Sequence, residues 1–282
     1  MPATPGVASF LLAAAAAAVL GAPASAPSAS AADPEPVTIA AIGDSITRAT
    51  NAAGWYGDHP SLSWSTGFNP LDGLSSHYER RIRARPWPWP RELNVAAAGA
   101  TIADAPAQAR RVVGRGAEIV TFLLGANDLC APSPERMTSL GEFRSDLETA
   151  MAVLADGLPE GRVYVASIPN VHRLWLLYRN DPVASSFWRL GRTCPSMLDS
   201  ANTPRDRFHV FVRQLAFNYV LADVCSAYPR CVFDHYALYG HEFTTAEVSR
   251  LDYFHPSLRG QHTIAEITWR AWSVAGESAP SG

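Results

Sequence analysis

The side chain best placed for nucleophilic chemistry in this sequence is Ser45, in the segment Gly43-Asp-Ser-Ile46 after a short apolar run, 37–42. A serine hydroxyl becomes a nucleophile when a neighbouring base removes its proton. A sharp turn after a strand would expose this hydroxyl, and a following helix would point its free N–H groups back at the site. The competing interpretation is a turn with a helix cap, because Asp and Ser are frequent capping residues.

A candidate base for this serine lies near the other end of the chain, in the segment Asp252-Tyr-Phe-His255-Pro256. A spacing of three lets Asp252 and His255 lie on one side of a turn. The carboxylate could then orient the imidazole and stabilise its charged form. Taken alone, such an Asp–His pair is more often a structural hydrogen bond.

Two further segments complete an ordered set of four motifs: Gly99, and Gly125-Ala-Asn-Asp128. The order Gly-Asp-Ser, Gly, Gly-x-Asn-Asp and Asp-x-x-His resembles the four blocks of the SGNH (GDSL-like) hydrolases, over roughly residues 37 to 275. Carried over residue by residue, the resemblance implies that Ser45 is the nucleophile and His255 the base, with Asp252 behind it. It also implies that Gly99 and Asn127 donate to the oxyanion.

Physical chemistry agrees with these implied roles. The oxyanion of a tetrahedral intermediate needs several donors aimed at it, here the N–H of Ser45, the N–H of Gly99 and the side-chain amide of Asn127. Gly99 suits this role because a residue without Cβ lets its backbone approach the substrate closely. An α/β-hydrolase nucleophile elbow would read Gly-x-Ser-x-Gly, but Thr47 occupies the fifth position and the serine follows the first strand.

Within the family, the chain looks most like the phospholipase B-like branch and related exported actinobacterial hydrolases. This similarity lies in the segments 62–67, 98–100 with 106–110, 125–130 and 254–260. The chain departs from the phospholipase B pattern where Thr47-Arg48 replaces Thr-Ala and where Phe68 replaces a second Gly. The resemblance implies an esterase that acts on lipid or phospholipid esters through an acyl-enzyme. Deacetylation of polysaccharide is an alternative of the same chemistry, and a non-catalytic lipid- or glycan-binding domain is an alternative of another class.

Alternating strand-like and helix-like segments predict the elements that would position these residues. We expect an α/β fold, a single-domain three-layer α/β/α arrangement with a mainly parallel, flavodoxin-like central sheet. Ligands of such sheets bind at the carboxyl ends of the strands, where three of the runs end in Gly. The predicted strands are 37–42, 93–98, 119–124, 163–168 and 231–233, and the predicted helices are 75–85, 103–113, 140–154, 206–227 and 257–275.

Two aromatic-rich regions, 54–73 and 172–204, lack clear periodicity and are predicted to be elaborated loops over the strand ends. Most of their aromatic side chains should pack in the interior. Trp64 is the expected exception, a candidate for lining an acyl groove. Arg48, which follows the nucleophile segment, is expected to be a solvated helix-face residue.

The N-terminal region has the pattern of an export signal. An apolar stretch of Leu and Ala, 10–19, is followed by small residues and by Ala-Ser-Ala at 29–31. The apolar stretch is shorter than the ~20 residues needed to span a bilayer. We therefore predict a secreted protein with a signal peptide at 1–31, a linker at 32–36, the hydrolase domain at 37–276 and a tail at 277–282.

The four cysteines can pair in an oxidising compartment, and they allow three connectivities. We prefer Cys225 with Cys231, which closes a short loop, and Cys130 with Cys194 by elimination. A metal site is the competing interpretation, but the sequence has no C-x-x-C segment. The acidic and histidine residues at 234–235 and 241–242 likewise lack a His-Glu-x-x-His pattern, so we predict no metal.

Composition limits the classes of partner. A chain with 48% hydrophobic and 17% charged residues is typical of a folded soluble protein. Its net charge of -3 and its scattered Lys and Arg residues argue against nucleic-acid binding. We expect a monomer without a cofactor that acts on a small-molecule or lipid ester, with transient contact to a lipid interface.

Overall fold

A computed structural model describes residues 1–3, 6, 36–84 and 88–277 of the protein, with side chains through 273. The site lies within one compact unit, Glu35–Gly282. The predicted signal peptide, 1–31, the linker 32–36 and the tail 277–282 fall almost entirely outside the described residues. Among the described residues, the structure has no helix of sufficient length and apolar character to cross a membrane.

A five-stranded parallel sheet forms the centre of this unit. Its strands lie in the order β2-β1-β3-β4-β5, the flavodoxin-like order in which the first strand sits between the second and third. Buried Ile, Val and Ala side chains make β1 and β3 near-continuous apolar runs, as expected of strands covered on both faces. The strands are β1 (Thr38–Gly43), β2 (Arg91–Asn94), β3 (Ile119–Leu123), β4 (Arg162–Val165) and β5 (Cys231–Phe233).

Helices cover the sheet in two groups. Helices α2, α4 and α8 pack side by side, and α1 packs against α9 through the aromatic contact of His77 with Trp269. Right-handed crossovers between parallel strands place these two groups on opposite faces of the sheet. The α/β fold predicted from the sequence is thus confirmed. The helices are α1 (His77–Ala84), α2 (Ala105–Val113), α3 (Ala126–Leu129), α4 (Leu140–Gly157), α5 (Val171–Tyr178), α6 (Pro182–Gly191), α7 (Pro195–Leu198), α8 (Pro204–Ser226) and α9 (Leu258–Glu277).

Several sequence-based predictions of secondary structure are wrong in detail, and the strand expected at 163–168 already ends at Val165. The strand expected at 93–98 is β2, Arg91–Asn94; it ends where the Asn94 side chain turns to donate to Thr47 and Thr66. The region 172–204, expected to be a loop, is mostly helical and contains α5, α6 and α7. These helices are short, and their side-chain caps, such as Asp181 at the start of α6, are weak signals in a sequence.

The aromatic and cysteine predictions have different outcomes. Trp64 does not line a groove: its side chain is 0% exposed, its Nε1–H donates to Thr47 at 3.3 Å, and its ring contacts His77. Both preferred disulfides are present, Cys130 with Cys194 and Cys225 with Cys231. The first joins the end of α3 to the start of α7, and thereby ties the helical region after β4 to the strand ends.

Candidate active site

Ser45 lies two residues beyond the end of β1, where a buried amide holds the backbone. The Gln108 side chain accepts from the N–H of Gly43 at 2.9 Å and donates to its carbonyl at 3.0 Å. Gly43 must lack a side chain, because a Cβ there would lie 2.3 Å from the Thr47 Oγ1. The two hydrogen bonds from Gln108 therefore fix the position of Gly43, from which the chain turns toward Ser45.

The regular helix expected directly after Ser45 is absent. Residues 44–53 form a series of turns, with the N–H of Arg48 bonded to the carbonyl of Asp44 and that of Thr50 bonded to Ser45. Arg48 is not a solvated helix residue either, because its Nε lies 3.0 Å from the Asp58 carboxylate. The small and polar residues of this segment favour turns over a helix.

The structure brings Ser45, His255 and Asp252 into one hydrogen-bonded chain. His255 Nε2 lies 2.8 Å from Ser45 Oγ, and His255 Nδ1 lies 2.6 Å from Asp252 Oδ2. The other carboxylate oxygen of Asp252 accepts from the backbone N–H groups of Phe254 and His255. As the spacing of three suggested, the acid and the imidazole lie on the same turn.

The electrostatics of Asp252 favour its ionised form. Burial opposes the charge, but the hydrogen bond and the nearby charge of His255, with the donation from Asn51, outweigh it and lower the pKa of Asp252. An ionised Asp252 accepts a hydrogen bond from a protonated Nδ1 of His255. The other ring nitrogen, Nε2, is then unprotonated and can accept a hydrogen bond from the serine hydroxyl that it faces. This is the tautomer that a base for Ser45 requires.

Asn51 is a member of the site that the sequence did not reveal. Its Nδ2 donates to the same Asp252 oxygen that binds His255, at 2.5 Å, and its Oδ1 accepts from the N–H of Gly57. Asn51 has a φ of 58°, a left-handed conformation that Asn tolerates better than most residues. It joins Asp252 from a position 201 residues away, so no local pattern could indicate the contact.

Glu247 holds the segment that carries the histidine, and the sequence analysis did not identify it. Its carboxylate accepts hydrogen bonds from Thr244, Thr263 and His241, and its carbonyl accepts from the N–H of Ser257. Burial opposes its charge, yet these donors lower the pKa of Glu247 to about 2. His241 therefore serves this hydrogen-bond network. Among the described residues, no group of three or more His, Cys, Asp or Glu side chains is placed to hold a metal.

The implied oxyanion donors lie on neighbouring loops. Asn127 lines the same pocket as Ser45 and uses one amide hydrogen to donate to the carbonyl of Ala100 at 2.9 Å, which leaves its second hydrogen available. Gly99 precedes Ala100 and is exposed, with a φ of +79°. Within the described part of the chain, the N–H groups of Ser45 and Gly99 have no hydrogen-bond partner.

Gly99 and Ser45 do not line the same pocket. Gly99 lies on a separate depression formed with Val95, Asp104 and Arg111. A Cβ at Gly99 would meet no atom within 4 Å, so its left-handed backbone accounts for the glycine. The loop that carries it is tied to the segment before Ser45 by the hydrogen bond from the N–H of Ala97 to the carbonyl of Gly43.

A mainly apolar pocket opens beside Ser45 and His255. Such a pocket fits an aliphatic group attached to a carbonyl carbon at Ser45. The apolar side chains that line it come from the turn at Ser45, from α3, from α5 with the proline before it, and from the segment 243–256: Ile46, Ala126, Pro169, Val171, Leu174, Phe243, Val248, Phe254 and Pro256.

Two buried carboxyl groups adjoin residues that line the pocket: Asp44 precedes Ser45, and Asp128 follows Asn127. Burial raises the pKa of Asp44 to about 7, although the N–H of Ile46 and the nearby His255 favour its charge. One of its oxygens, Oδ2, has no hydrogen-bond partner among the residues that the structure describes. Burial also raises the pKa of Asp128 to about 6, against the hydrogen bonds from Thr138 and Ile102. Asp128 thereby connects α3 to the loop after β2, which places Asn127 and Gly99 near each other.

Known proteins resemble this chain in sequence and in fold. Residues 41–263 match the model of the GDSL-like Lipase/Acylhydrolase family. Human membrane-associated phospholipase B1 is 29% identical over 171 residues, a match that covers 49% of this chain and 11% of the human protein. The chain therefore spans about a tenth of the length of this relative.

Two solved structures have a similar fold. LAE5, an alpha/beta hydrolase enzyme from the metagenome of Lake Arreo in Spain, has a TM-score of 0.54 and 18% identity, and the match covers 84% of this chain and 95% of LAE5. TesA has a TM-score of 0.53 and 17% identity, and the match covers 84% of this chain and 98% of TesA. At these identities the two structures establish the fold and nothing finer.

Proposed function

Since this chain belongs to the GDSL-like lipase and acylhydrolase family, an ester-hydrolysing serine hydrolase family, we propose that it cleaves carboxylic esters through an acyl-enzyme on Ser45. The observation that carries the proposal is the hydrogen-bonded chain from Ser45 Oγ through His255 to Asp252, at 2.8 and 2.6 Å. The first distance allows a proton to pass from Ser45 to His255, and the second allows Asp252 to stabilise a positive charge on His255.

In acylation, Ser45 Oγ attacks the acyl carbon while its proton passes to His255 Nε2. The carbonyl oxygen becomes an oxyanion that accepts from the N–H groups of Ser45 and Gly99 and from the free amide hydrogen of Asn127. The bond from the acyl carbon to the alcohol oxygen then breaks, and His255 gives its proton to the leaving alkoxide. Water attacks the acyl-enzyme in the same way and releases the acid and free Ser45.

Lipid esters are the substrate class we propose. The pocket beside Ser45 is lined mainly by apolar side chains, among them Val171, Leu174 and Phe243, which favour an aliphatic acyl group over a sugar. The relative named phospholipase B1 points in the same direction. A panel of p-nitrophenyl esters of increasing chain length, phosphatidylcholine, lysophosphatidylcholine and acetylated xylan tests this, and preference for the xylan would refute it.

Export is the second part of the proposal. The two disulfides and the apolar stretch at 10–19 both favour an oxidising, extracytoplasmic location. The mature protein recovered from culture medium should begin near residue 32 and contain four oxidised cysteines. An intact N-terminus or free thiols in the mass spectrum would contradict it.

The Ser45→Ala variant tests the reaction itself. Hydrolysis of p-nitrophenyl butyrate and labelling by a fluorophosphonate should both be lost, because only the oxyanion donors and binding would remain. Ser145→Ala, an exposed serine on α4, is the matched control and should behave as the wild type. Retention of more than about a tenth of the activity in Ser45→Ala would move the nucleophile elsewhere, since a lost nucleophile costs far more.

A further inference from the structure

Helix α6 presents an apolar face to solvent. Val183, Phe187 and Leu190 recur at intervals of four and three residues and so lie on one side of the helix. They are 50%, 41% and 82% exposed. Large apolar side chains that recur on one helical face mark an interaction surface rather than the isolated exposure seen on most proteins.

This face flanks the segment that carries the catalytic acid. The Phe187 ring lies 5.6 Å from that of Tyr253, the residue after Asp252. On another side of the same segment, the Tyr56 hydroxyl donates to the carbonyl of Leu251 at 3.0 Å. Tyr56 and its neighbour Trp55 are also largely exposed. We call Trp55, Tyr56, Val183, Phe187 and Leu190 the apolar rim.

The chain segments that form the rim, or that adjoin it in sequence, also carry exposed arginines. Arg179, Arg189, Arg192 and Arg250 are exposed, and none of them forms a salt bridge within the part of the chain that the structure describes. From 171 to 192 the one acidic residue is Asp181, which accepts from the N–H groups at the start of α6. This local excess of arginine contrasts with a net charge of -3 for the chain.

Apolar side chains combined with exposed cations are the features of a surface that binds anionic membranes. Trp and Tyr prefer the boundary between headgroups and acyl chains, where the ring is buried and the polar end stays hydrated. Arginines beside them are attracted to acidic headgroups. A second protein copy is a less suitable occupant, since the same four arginines would face each other across a symmetric interface.

We propose that the apolar rim and its arginines bind the surface of an anionic phospholipid bilayer, with the pocket of Ser45 held at the lipid boundary. The inference rests on the proposed action on lipid esters, because such binding would deliver those substrates to the site. It concerns binding alone and is therefore measurable without turnover.

The test uses the protein with Ser45→Ala, so that vesicles stay intact, and follows co-sedimentation and tryptophan emission. Phosphatidylcholine vesicles that contain phosphatidylglycerol should bind the protein, shift its emission to the blue, and release it as salt rises. Val183→Ser with Leu190→Ser should lower the partition coefficient about tenfold or more, because both side chains lose apolar burial. Arg189→Glu with Arg192→Glu should remove the preference for phosphatidylglycerol over pure phosphatidylcholine.

Two exposed leucines outside the rim supply the matched control. Leu71 and Leu140 are 92% and 42% exposed, and neither belongs to a series of exposed apolar side chains on one helical face. Leu71→Ser with Leu140→Ser should leave vesicle binding unchanged. An equal loss in this control, no binding to either vesicle, or no preference for phosphatidylglycerol would overturn the proposal.

Turnover of soluble p-nitrophenyl acetate separates this inference from the proposed reaction. With Ser45 intact, the Val183→Ser and Leu190→Ser protein should hydrolyse that ester at the wild-type rate, since neither side chain lines the pocket. Normal turnover without vesicle binding would refute the membrane surface alone. Vesicle binding without turnover in the wild type would refute the proposed reaction and leave the surface standing.

Discussion

Replacement of Asp44 by Asn should change how the stability of the protein depends on pH. Asn keeps the shape of the carboxyl group and its bond to the N–H of Ile46, but it cannot ionise. In the folded state burial raises the pKa of Asp44 from the ordinary value of 3.8 to about 7. Between these values the unfolded chain loses the proton and the folded chain retains it, so the wild type loses stability as pH rises.

The size of the effect follows from that gap. At about 1.36 kcal/mol for each pH unit, ionisation of Asp44 costs the folded wild type up to about 4 kcal/mol above pH 7. The free energy of unfolding of Asp44→Asn should therefore rise relative to the wild type between about pH 4 and pH 7, and the difference should then level off. In a domain of this size, about 4 kcal/mol corresponds to a rise in Tm of roughly 10 °C.

Urea unfolding of both proteins at a series of pH values measures the difference, because titrating groups that do not interact with Asp44 contribute equally to the two. The charges of His255 and Asp128 do interact with that of Asp44, but their effect on its pKa is smaller than that of burial. Asp156→Asn, which removes an exposed carboxyl on α4, corrects for the loss of one negative charge. A difference between Asp44→Asn and wild type that stays constant from pH 4 to pH 8 would refute the claim that burial keeps Asp44 protonated.

Three further changes test the site. Asn51→Ala should lower kcat/KM about tenfold, since the half-buried Asp252 carboxylate loses a hydrogen bond. It should also move the acid limb of the pH–rate profile to higher pH, because Asp252 then interacts more strongly with His255. An unchanged acid limb would show that the role of Asn51 is purely structural. Asp252→Asn should lower kcat on the order of 10³-fold or more, and it should move the acid limb of the pH–rate profile to lower pH, because the His255 imidazolium loses its counter-charge. Superimposable acid limbs for variant and wild type would refute the coupling of Asp252 to His255. Gly43→Ala should lower Tm by several degrees, because the added Cβ would collide with the Thr47 side chain. Adding Thr47→Ser should not restore Tm, since serine keeps the Oγ atom that lies nearest to that Cβ. A recovered Tm in the double variant would refute this contact.

The strands and the motifs at their ends were accessible from the sequence because their signals are local. Short apolar runs that stop at Gly43 and Gly125 mark parallel strands and the turns beyond them. Since parallel strands present their carboxyl ends at one edge, the motifs after them had to converge there. The spacing of three between Asp252 and His255 likewise sufficed to place both on one turn.

Contacts between distant segments required the tertiary structure. Asn51 meets Asp252 across 201 residues, and nothing in either segment specifies the partner. Trp64 lies in a segment whose composition suits a binding loop, yet it packs between Thr47 and His77, because the interior offers both apolar contact and an acceptor for its N–H. The ionisation of Asp44 is of the same kind: the sequence supplies a carboxyl group, and only the burial created by the surrounding elements raises its pKa.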